Sequence, residues 1–369
     1  MKKLAVLNLV LVLSLMLGAV AFAAEDIQAA AYDYFSGGTK NITADVVYDN
    51  LNDGDDTNNP YIVSVRKQED YEQAHIPTAV WMDAKTLFTA DNLAKLPTDK
   101  QIVVYCYTGQ TASHVVSALR MLGYDAYNML FGFGAWNADA PTSKTFDQAT
   151  MGNDYATESG PVAETKIVHN LPTPLADTIQ GAADAYFSGG TKNINPADLY
   201  DNLNDGDTSN DPFILSVRSA EDFEKGHISG AINIAPGELF IQTNLQRLPA
   251  DKQIVVYCYT GQTGSQVTSA LRMLGYDAYN MLWGMQAWTM DTDVVAKMYD
   301  AAKHSFGYAY EGTAVETPTE EATPEATPEA TPETMPETGG VPFPVEGILL
   351  GLGTLTVAAG AYLRRRKAA

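Results

Sequence analysis

Short apolar runs alternate with stretches of helical spacing along most of this chain. In its second half, Pro212–Val217 is a compact apolar run behind an Asp- and Asn-rich turn, and it predicts a buried strand. Ser219–Lys225 predicts a polar helical turn, Ile232–Ile234 a second short strand, and Pro236–Leu245 a helix. Gln253–Tyr257 has the clearest strand pattern and ends at Cys258. Val267, Ala270, Leu271 and Leu274 recur at helical spacing and predict a helix over Ser265–Leu274, stopped by Gly275. Ala278–Leu282 predicts the next strand. Strands separated by helices predict an α/β domain, a parallel sheet with helices on both faces. Ligands of such sheets bind at the carboxyl ends of the strands.

The pattern occurs twice. Tyr34–Asn41 recurs as Tyr186–Asn193, Tyr48–Asp55 as Tyr200–Asp207, and Gln101–Trp136 as Gln253–Trp288, all at an offset of 152 residues. That period is too long for a solenoid and predicts two tandem copies of one domain, each with its own core. The boundaries read as residues 25–147 and 178–305. Residues 148–177 lack periodicity and read as a linker.

Both ends read as addresses rather than fold. Lys2 and Lys3, the apolar run Leu4–Val20 and then Ala21-Phe22-Ala23 predict a signal peptide over residues 1–24; an uncleaved anchor is the alternative. Residues 306–338 read as a stalk whose Thr-Pro-Glu-Ala beat favours extended, solvated chain. Met335-Pro336-Glu337-Thr338-Gly339, the apolar stretch Gly347–Leu363 and the basic cluster Arg364–Lys367 follow. This order resembles a sortase sorting signal, with Met335 in place of the usual leucine; a plain transmembrane anchor over residues 339–369 is the alternative. Either would leave the body of the protein secreted, tethered to the outer face of the membrane or to the cell wall.

Composition narrows the classes. The 369 residues carry a net charge of −22, which disfavours a nucleic-acid partner, since phosphates need basic surface. Two cysteines, Cys106 and Cys258, exclude a disulfide scaffold and a four-cysteine zinc site. No metal and no cofactor are expected.

Each cysteine ends a predicted strand and opens the same loop. The first copy reads Cys106-Tyr107-Thr108-Gly109-Gln110-Thr111 and the second Cys258-Tyr259-Thr260-Gly261-Gln262-Thr263. A cysteine there faces loop N–H groups and a helix N-terminus, which favour the nucleophilic thiolate. Gly109 and Gly261 permit a positive φ, and Thr111 and Thr263 stand where a hydroxyl would cap the helix. An inert core cysteine is the alternative.

Strand, Cys-x-x-Gly-x-Thr and helix resemble the active-site loop of rhodanese sulfurtransferases. Val217-Arg218, Glu221-Asp222-Phe223 and Gly226–Ile234 resemble that family's arginine-bearing strand and its Gly-His-Ile-x-Gly-Ala-x-Asn segment; Val65-Arg66, Glu69-Asp70-Tyr71 and His75-Ile76-Pro77 are the first-copy counterparts. The resemblance covers about two thirds of the chain. It departs at Ser64 and Ser216, where the family has Asp, and at Ala74 and Thr78–Trp81 in the first copy. It implies a double displacement in which the cysteine takes sulfur from thiosulfate or a related persulfide donor and passes it to a thiophilic acceptor. Tyr107, Thr108 and Gln110, with Tyr259, Thr260 and Gln262, would line the pocket; none is cationic, so backbone amides and the helix dipole would hold the donor. Arg66, Arg218, His75 and His227 read as structural, with Glu69 and Glu221 as partners for the buried arginines.

Neighbouring chemistries fit less well. Related phosphatases use Cys-x5-Arg, but the positions for that arginine hold Ala112 and Gly264. There is no Cys-x-x-Cys for disulfide exchange. The Asp-rich turns at 50–56 and 202–208 lack EF-hand spacing and read as solvated. His114, with Gln266 in the other copy, reads as exposed. A non-catalytic surface module that binds a partner or carries sulfur remains the competing class.

Overall fold

The structure is a computed structural model, and it describes residues 26–163 and 167–313. The expected signal peptide and the sorting or anchor segment lie outside the described residues. Among the described residues, no helix is long and apolar enough to cross a membrane.

Each repeat forms a five-stranded parallel sheet with helices. In the first, β1 is Asn41–Ile42, β2 Tyr61–Ser64, β3 Val80–Trp81, β4 Ile102–Tyr105 and β5 Ala126–Met129, in the order β1-β5-β4-β2-β3. In the second, β6 is Asn193–Ile194, β7 Phe213–Ser216, β8 Ile232–Asn233, β9 Ile254–Tyr257 and β10 Ala278–Met281, in the order β6-β10-β9-β7-β8. The central strands β4 and β9 share the sequence Ile-Val-Val-Tyr and are buried along their whole length. A parallel strand covered on both faces has no solvent side, so it reads as an unbroken apolar run. The predicted strands therefore stand within a residue or two of their expected bounds. Residues 236–245 differ, forming two short helices, Pro236–Leu239 and Gln242–Leu245, instead of one.

The two repeats share a core. Helix α1 (Ile27–Ser36) of the first repeat lies against Pro236–Leu239 of the second, and Phe35 stacks on Phe240 with ring centroids 4.6 Å apart. Phe88 and Phe187 make the reciprocal stack at 4.5 Å. The helices that follow the cysteine loops, α2 (Gln110–Met121) and α5 (Gln262–Met273), pack directly on one another. His114 lies in this seam, fully buried, which corrects its reading as exposed. Its Nδ1 meets the Tyr186 hydroxyl at 3.1 Å and its Nε2 faces Asn193 Oδ1 at 3.4 Å. Burial pushes its pKa down to about 3, so the ring stays neutral near pH 7. Gln266 takes the same place opposite Tyr34 and Asn41.

Residues 148–163 of the expected linker and residues 306–313, the described part of the expected stalk, are docked on the repeats; the rest of the stalk lies outside the described residues. Helix α3 (Gln148–Met151) and the residues after it dock on the second repeat: Asn153 and Tyr155 donate to the carbonyls of Ala287 and Trp288, and Glu158 bridges His227. Helix α6 (Ala301–His304) and its continuation cross back to the first repeat. There Phe306 and Tyr308 donate to the carbonyls of Ala135 and Trp136, and Glu311 bridges His75. Tyr155 stacks on Tyr200 and Tyr308 on Tyr48. Helix α4 (Ile179–Ser188), equivalent to α1, opens the second repeat. The two straps thus tie each repeat to the chain leaving the other.

Because the seam is shared, we expect one cooperative unfolding transition. Gln110→Ala would leave the half-buried Trp283 N–H without its acceptor, while the Asn280 amide keeps Asn193 Oδ1 at 3.0 Å, and would lower stability by about 1–3 kcal/mol. A thermal melt showing two separate transitions, unmoved by Gln110→Ala, would contradict the shared core.

Candidate active site

The site is built where β4 and β9 end. Cys106 and Cys258 are both 2% exposed and follow the buried tyrosines Tyr105 and Tyr257. The chain then turns sharply. Gly109 at φ 81° and Gly261 at φ 83° occupy the left-handed region, and α2 and α5 start at the next residue. These glycines are the caps, and no side chain caps either helix. Thr111 and Thr263 lie inside the first turn, so the expected hydroxyl cap is replaced by backbone geometry.

A second turn closes over the loop, and sequence reasoning had missed it. Phe131 and Trp283 have φ values of 60° and 64°, and Gly132 and Gly284 follow at 59° and 58°. Phe133 N donates to the Cys106 carbonyl at 2.8 Å, and Met285 N to the Cys258 carbonyl at 2.9 Å. A side chain at Gly132 would collide with the Cys106 carbonyl and come within 2.8 Å of the Gly109 nitrogen; Gly284 is equally tight against Cys258 and Gly261. The segments Gln101–Asn128 and Gln253–Asn280 differ at three positions only, yet this turn reads Phe-Gly in one copy and Trp-Gly in the other, the signal that was available.

The backbone N–H groups of Gly264, Thr260, Gly261 and Thr263 face the Cys258 sulfur and favour its thiolate. Burial outweighs them and pushes the Cys258 pKa up. Burial therefore works against the thiolate at Cys258, and the loop N–H groups work for it.

The other loop side chains take separate paths. Tyr107 donates to Asp70, and Lys67 N donates to the Tyr107 hydroxyl at 3.2 Å. Burial, with Asp70 assisting, pushes its pKa up to about 12. Tyr259 donates to Asp222 Oδ2 at 2.6 Å, and that hydrogen bond holds the Asp222 carboxyl down to about 2. Gln110 and Gln262 are nearly buried and reach into the opposite repeat. Gln262 Oε1 accepts from Asn128 Nδ2 at 2.9 Å and Phe131 N at 3.1 Å, and Gln110 Oε1 accepts from Trp283 N at 2.9 Å. Gln262 keeps one face on a cavity of about 700 Å3, which Cys258, Tyr259, Thr260 and Thr263 also line.

Lysines stand at the site after all. Lys297 lines the Cys258 cavity with its Nζ 4.5 Å from the Tyr259 ring centroid, and His304, whose Nδ1 accepts from Asp300 N at 2.9 Å, also lines it. Lys144 sits over Tyr107 at 4.3 Å in the first repeat. They come from segments beyond the loops, which is why a reading confined to the loop residues found none.

Arg66 and Arg218 are buried but do not pair with Glu69 and Glu221. Arg66 donates to the Ala74 carbonyl and to Thr142 Oγ1 at 3.2 Å, and its guanidinium lies 4.0 Å from the Phe133 ring centroid. Arg218 donates to the carbonyls of Gly226 and Val294. Glu69 is exposed, and Glu221, also exposed, pairs with Lys225 instead. Carbonyls and aromatic faces hold the terminal nitrogens of these cations without a second buried charge to desolvate, while each buried Nε has no hydrogen-bond partner among the described residues. His75 and His227 stack on Tyr71 and Phe223 beneath the straps, with Nδ1 on the Tyr71 and Phe223 carbonyls. Among the described residues, no cluster of three or more His, Cys, Asp or Glu is arranged to hold a metal ion.

A cysteine facing loop N–H groups at the carboxyl end of the central strand of a parallel sheet stands where α/β domains place their ligand sites. The chain belongs to the rhodanese-like domain family, whose model matches residues 43–139 and 195–291, one match per repeat and together just over half of the chain. Thiosulfate sulfurtransferase GlpE of Coxiella burnetii (strain RSA 331 / Henzerling II) is 34% identical over 83 residues, 22% of this chain and 76% of its own length. The protein of the same name from Pseudomonas savastanoi pv. phaseolicola (strain 1448A / Race 6) is 35% identical over 81 residues, 22% of this chain and 74% of its own. The crystal structure of a rhodanese-like domain protein from Staphylococcus aureus is 28% identical and covers 29% of this chain and 100% of that one, with a TM-score of 0.25.

Two outcomes check this geometry. Gly284→Ala would displace the Cys258 loop and slow sulfur loading or alkylation at Cys258 by about a hundredfold, while Cys106 is spared. Because burial raises the Cys258 pKa, its thiolate fraction rises only above the ordinary thiol range of about 8.5. The iodoacetamide rate at Cys258, followed by peptide mass spectrometry, would then climb with a midpoint above that value. A midpoint below it would overturn the burial argument.

Proposed function

We propose that this protein is a sulfurtransferase that carries sulfane sulfur as a persulfide on Cys106 and Cys258, held outside the cell by its C-terminal segment. The observation that carries the reading is the ring of four loop N–H groups around the Cys258 sulfur, opening on a cavity. The family resemblance and the thiosulfate sulfurtransferase relatives support it.

With thiosulfate as donor, the cysteine thiolate attacks the outer sulfur. A Sγ–S bond forms, the donor S–S bond breaks, and sulfite departs with the electron pair. The loop amides that pull the Cys258 pKa down, against burial, would equally stabilise the negative charge of the transferring sulfur, as an oxyanion hole does. An acceptor such as cyanide then attacks the outer persulfide sulfur, thiocyanate leaves, and the cysteine thiolate is regenerated. Loss of the proton from Cys258 precedes the first attack, so the burial that raises its pKa slows that attack near neutral pH, and the loop N–H groups offset part of this cost.

The burial that works against the Cys258 thiolate also gives some support to a second reading, a surface module that stores or carries sulfur with little turnover. One experiment separates the two. Wild type, Cys106→Ser and Cys258→Ser would be treated with thiosulfate and weighed intact, then given cyanide. We expect one added sulfur atom on each intact cysteine, lost as thiocyanate over repeated cycles. Sulfur that is gained once and not turned over would favour the carrier. No gain from thiosulfate or polysulfide would end the sulfur reading. The tether predicts, separately, that protease added to intact cells removes the protein.

A further inference from the structure

Gln110 and Gln262 stand in the cysteine loops but hold hydrogen bonds in the opposite repeat. Each follows the left-handed glycine, opens its helix, and is almost fully buried, at 4% and 2% exposure. Gln110 Oε1 takes Trp283 N at 2.9 Å, and Gln262 Oε1 takes Phe131 N at 3.1 Å. A Cβ on Gly261 would collide with Gln110 Oε1, and one on Gly109 with Gln262 Oε1. The two glycines therefore leave room for the facing loop as well as turning their own. Among the described residues, the Cys258 cavity is lined by Gln262 and not by Gln110, so Gln110 has no direct path to that cysteine.

Its indirect path is short. Gly284, next to Trp283, lies so close that a Cβ there would come within 2.5 Å of the Cys258 carbonyl oxygen and 2.9 Å of Gly261 N. Met285 N donates to the Cys258 carbonyl at 2.9 Å, and Gln286 N to the Tyr259 carbonyl at 3.2 Å. The Tyr259 carbonyl and the Thr260 N–H belong to one planar peptide unit. The bond from Gln286 N therefore fixes the direction of an N–H group that faces the Cys258 sulfur. Trp283 does not hold this turn by itself. Its φ of 64° is unfavourable for a residue with a side chain, and among the described residues Gln110 Oε1 is the acceptor its N–H has. The first repeat is built alike: Gln262 holds Phe131, and beyond it Phe133 N and Gly134 N donate to the carbonyls of Cys106 and Tyr107 at 2.8 and 3.1 Å.

We propose that Gln110 and Gln262 are positioning residues that act across the seam, each setting the reactivity of the cysteine in the other repeat by fixing the turn that aims the loop N–H groups at its sulfur. This control extends beyond sulfur transfer, because it acts on each thiolate toward any electrophile.

The test uses the whole chain with both cysteines present. Each cysteine is read separately by peptide mass spectrometry after timed iodoacetamide treatment across a range of pH. Gln110→Met keeps the length of the side chain and removes the oxygen acceptor. We expect the midpoint of the Cys258 profile to rise by about one pH unit, a tenfold loss of thiolate below the midpoint, with the plateau rate at high pH unchanged. The Cys106 profile, read in the same molecules, would move much less. A site that had merely loosened would do the opposite: water reaching Cys258 would relieve its burial, lower the midpoint and speed the reaction at every pH. Gln110→Asn keeps the amide but shortens its reach by one methylene, and it would shift the Cys258 midpoint in the same direction with less effect on the melting temperature. In the reciprocal Gln262→Met protein, Cys106 would react about tenfold more slowly near neutral pH. A Cys258 midpoint that is unchanged or lowered in either Gln110 variant, or that moves equally with that of Cys106, would overturn the inference. No sulfur donor enters the test, so a failure of thiosulfate to load the cysteines would bear on the sulfurtransferase reading alone.

Discussion

Each cysteine loop is completed by an oxygen atom from the other repeat. Gln262 Oε1 crosses the seam to take the Phe131 N–H and the Asn128 amide, in the space that a side chain on Gly109 would fill. Gln110 does the same for Trp283 and Asn280 over Gly261. Phe131 and Trp283 hold left-handed backbone at a cost of about 1–3 kcal/mol each, and such residues persist only where their surroundings over-determine them. A buried N–H without an acceptor costs a similar amount. Neither repeat supplies both the strained turn and the acceptor that satisfies it. The catalytic loop geometry is therefore a property of the pair.

That dependence explains what could be read from the sequence and what could not. Ile254–Tyr257 is legible because a strand buried on both faces is apolar throughout. The duplication is legible because it runs without a gap through the sheet. His114 misled because polar residues on a helix face normally meet water, whereas here they meet Tyr186 and Asn193 of a second domain. A polar seam between domains and a solvated surface have the same local pattern, and only the packing of α2 on α5 tells them apart. The missing hydroxyl cap has a similar cause. With Gly109 able to turn the chain by itself, α2 starts three residues earlier relative to the apolar spacing than its sister helix was expected to, and Thr111 falls within it.

The straps were read as linker and stalk because their register slips by one residue relative to the repeat. Asp147, Tyr155 and Glu158 correspond to Asp300, Tyr308 and Glu311 at 153 residues rather than 152. The tyrosines stack on Tyr200 and Tyr48, and the glutamates bridge His227 and His75. A handful of spaced contacts is enough to dock an extended segment whose backbone hydrogen bonds go to the sheet-bearing body, yet it leaves no continuous hydrophobic period to detect.

The straps are also where the two sites are free to differ. A change at Gln110, Gly109 or Phe131 disturbs hydrogen bonds that hold both loops, so the cradle is constrained from two sides. Position 304 carries no such load: its ring meets Phe131 and Tyr299, and its hydrogen bonds stay within the strap, on the backbone of Asp300. Charge and shape at the mouth of the Cys258 cavity can therefore change without loosening the ring of N–H groups beneath it. The architecture separates the interlocked cysteine loops from the wall of the Cys258 cavity, part of which comes from the segment that leaves one repeat to dock on the other.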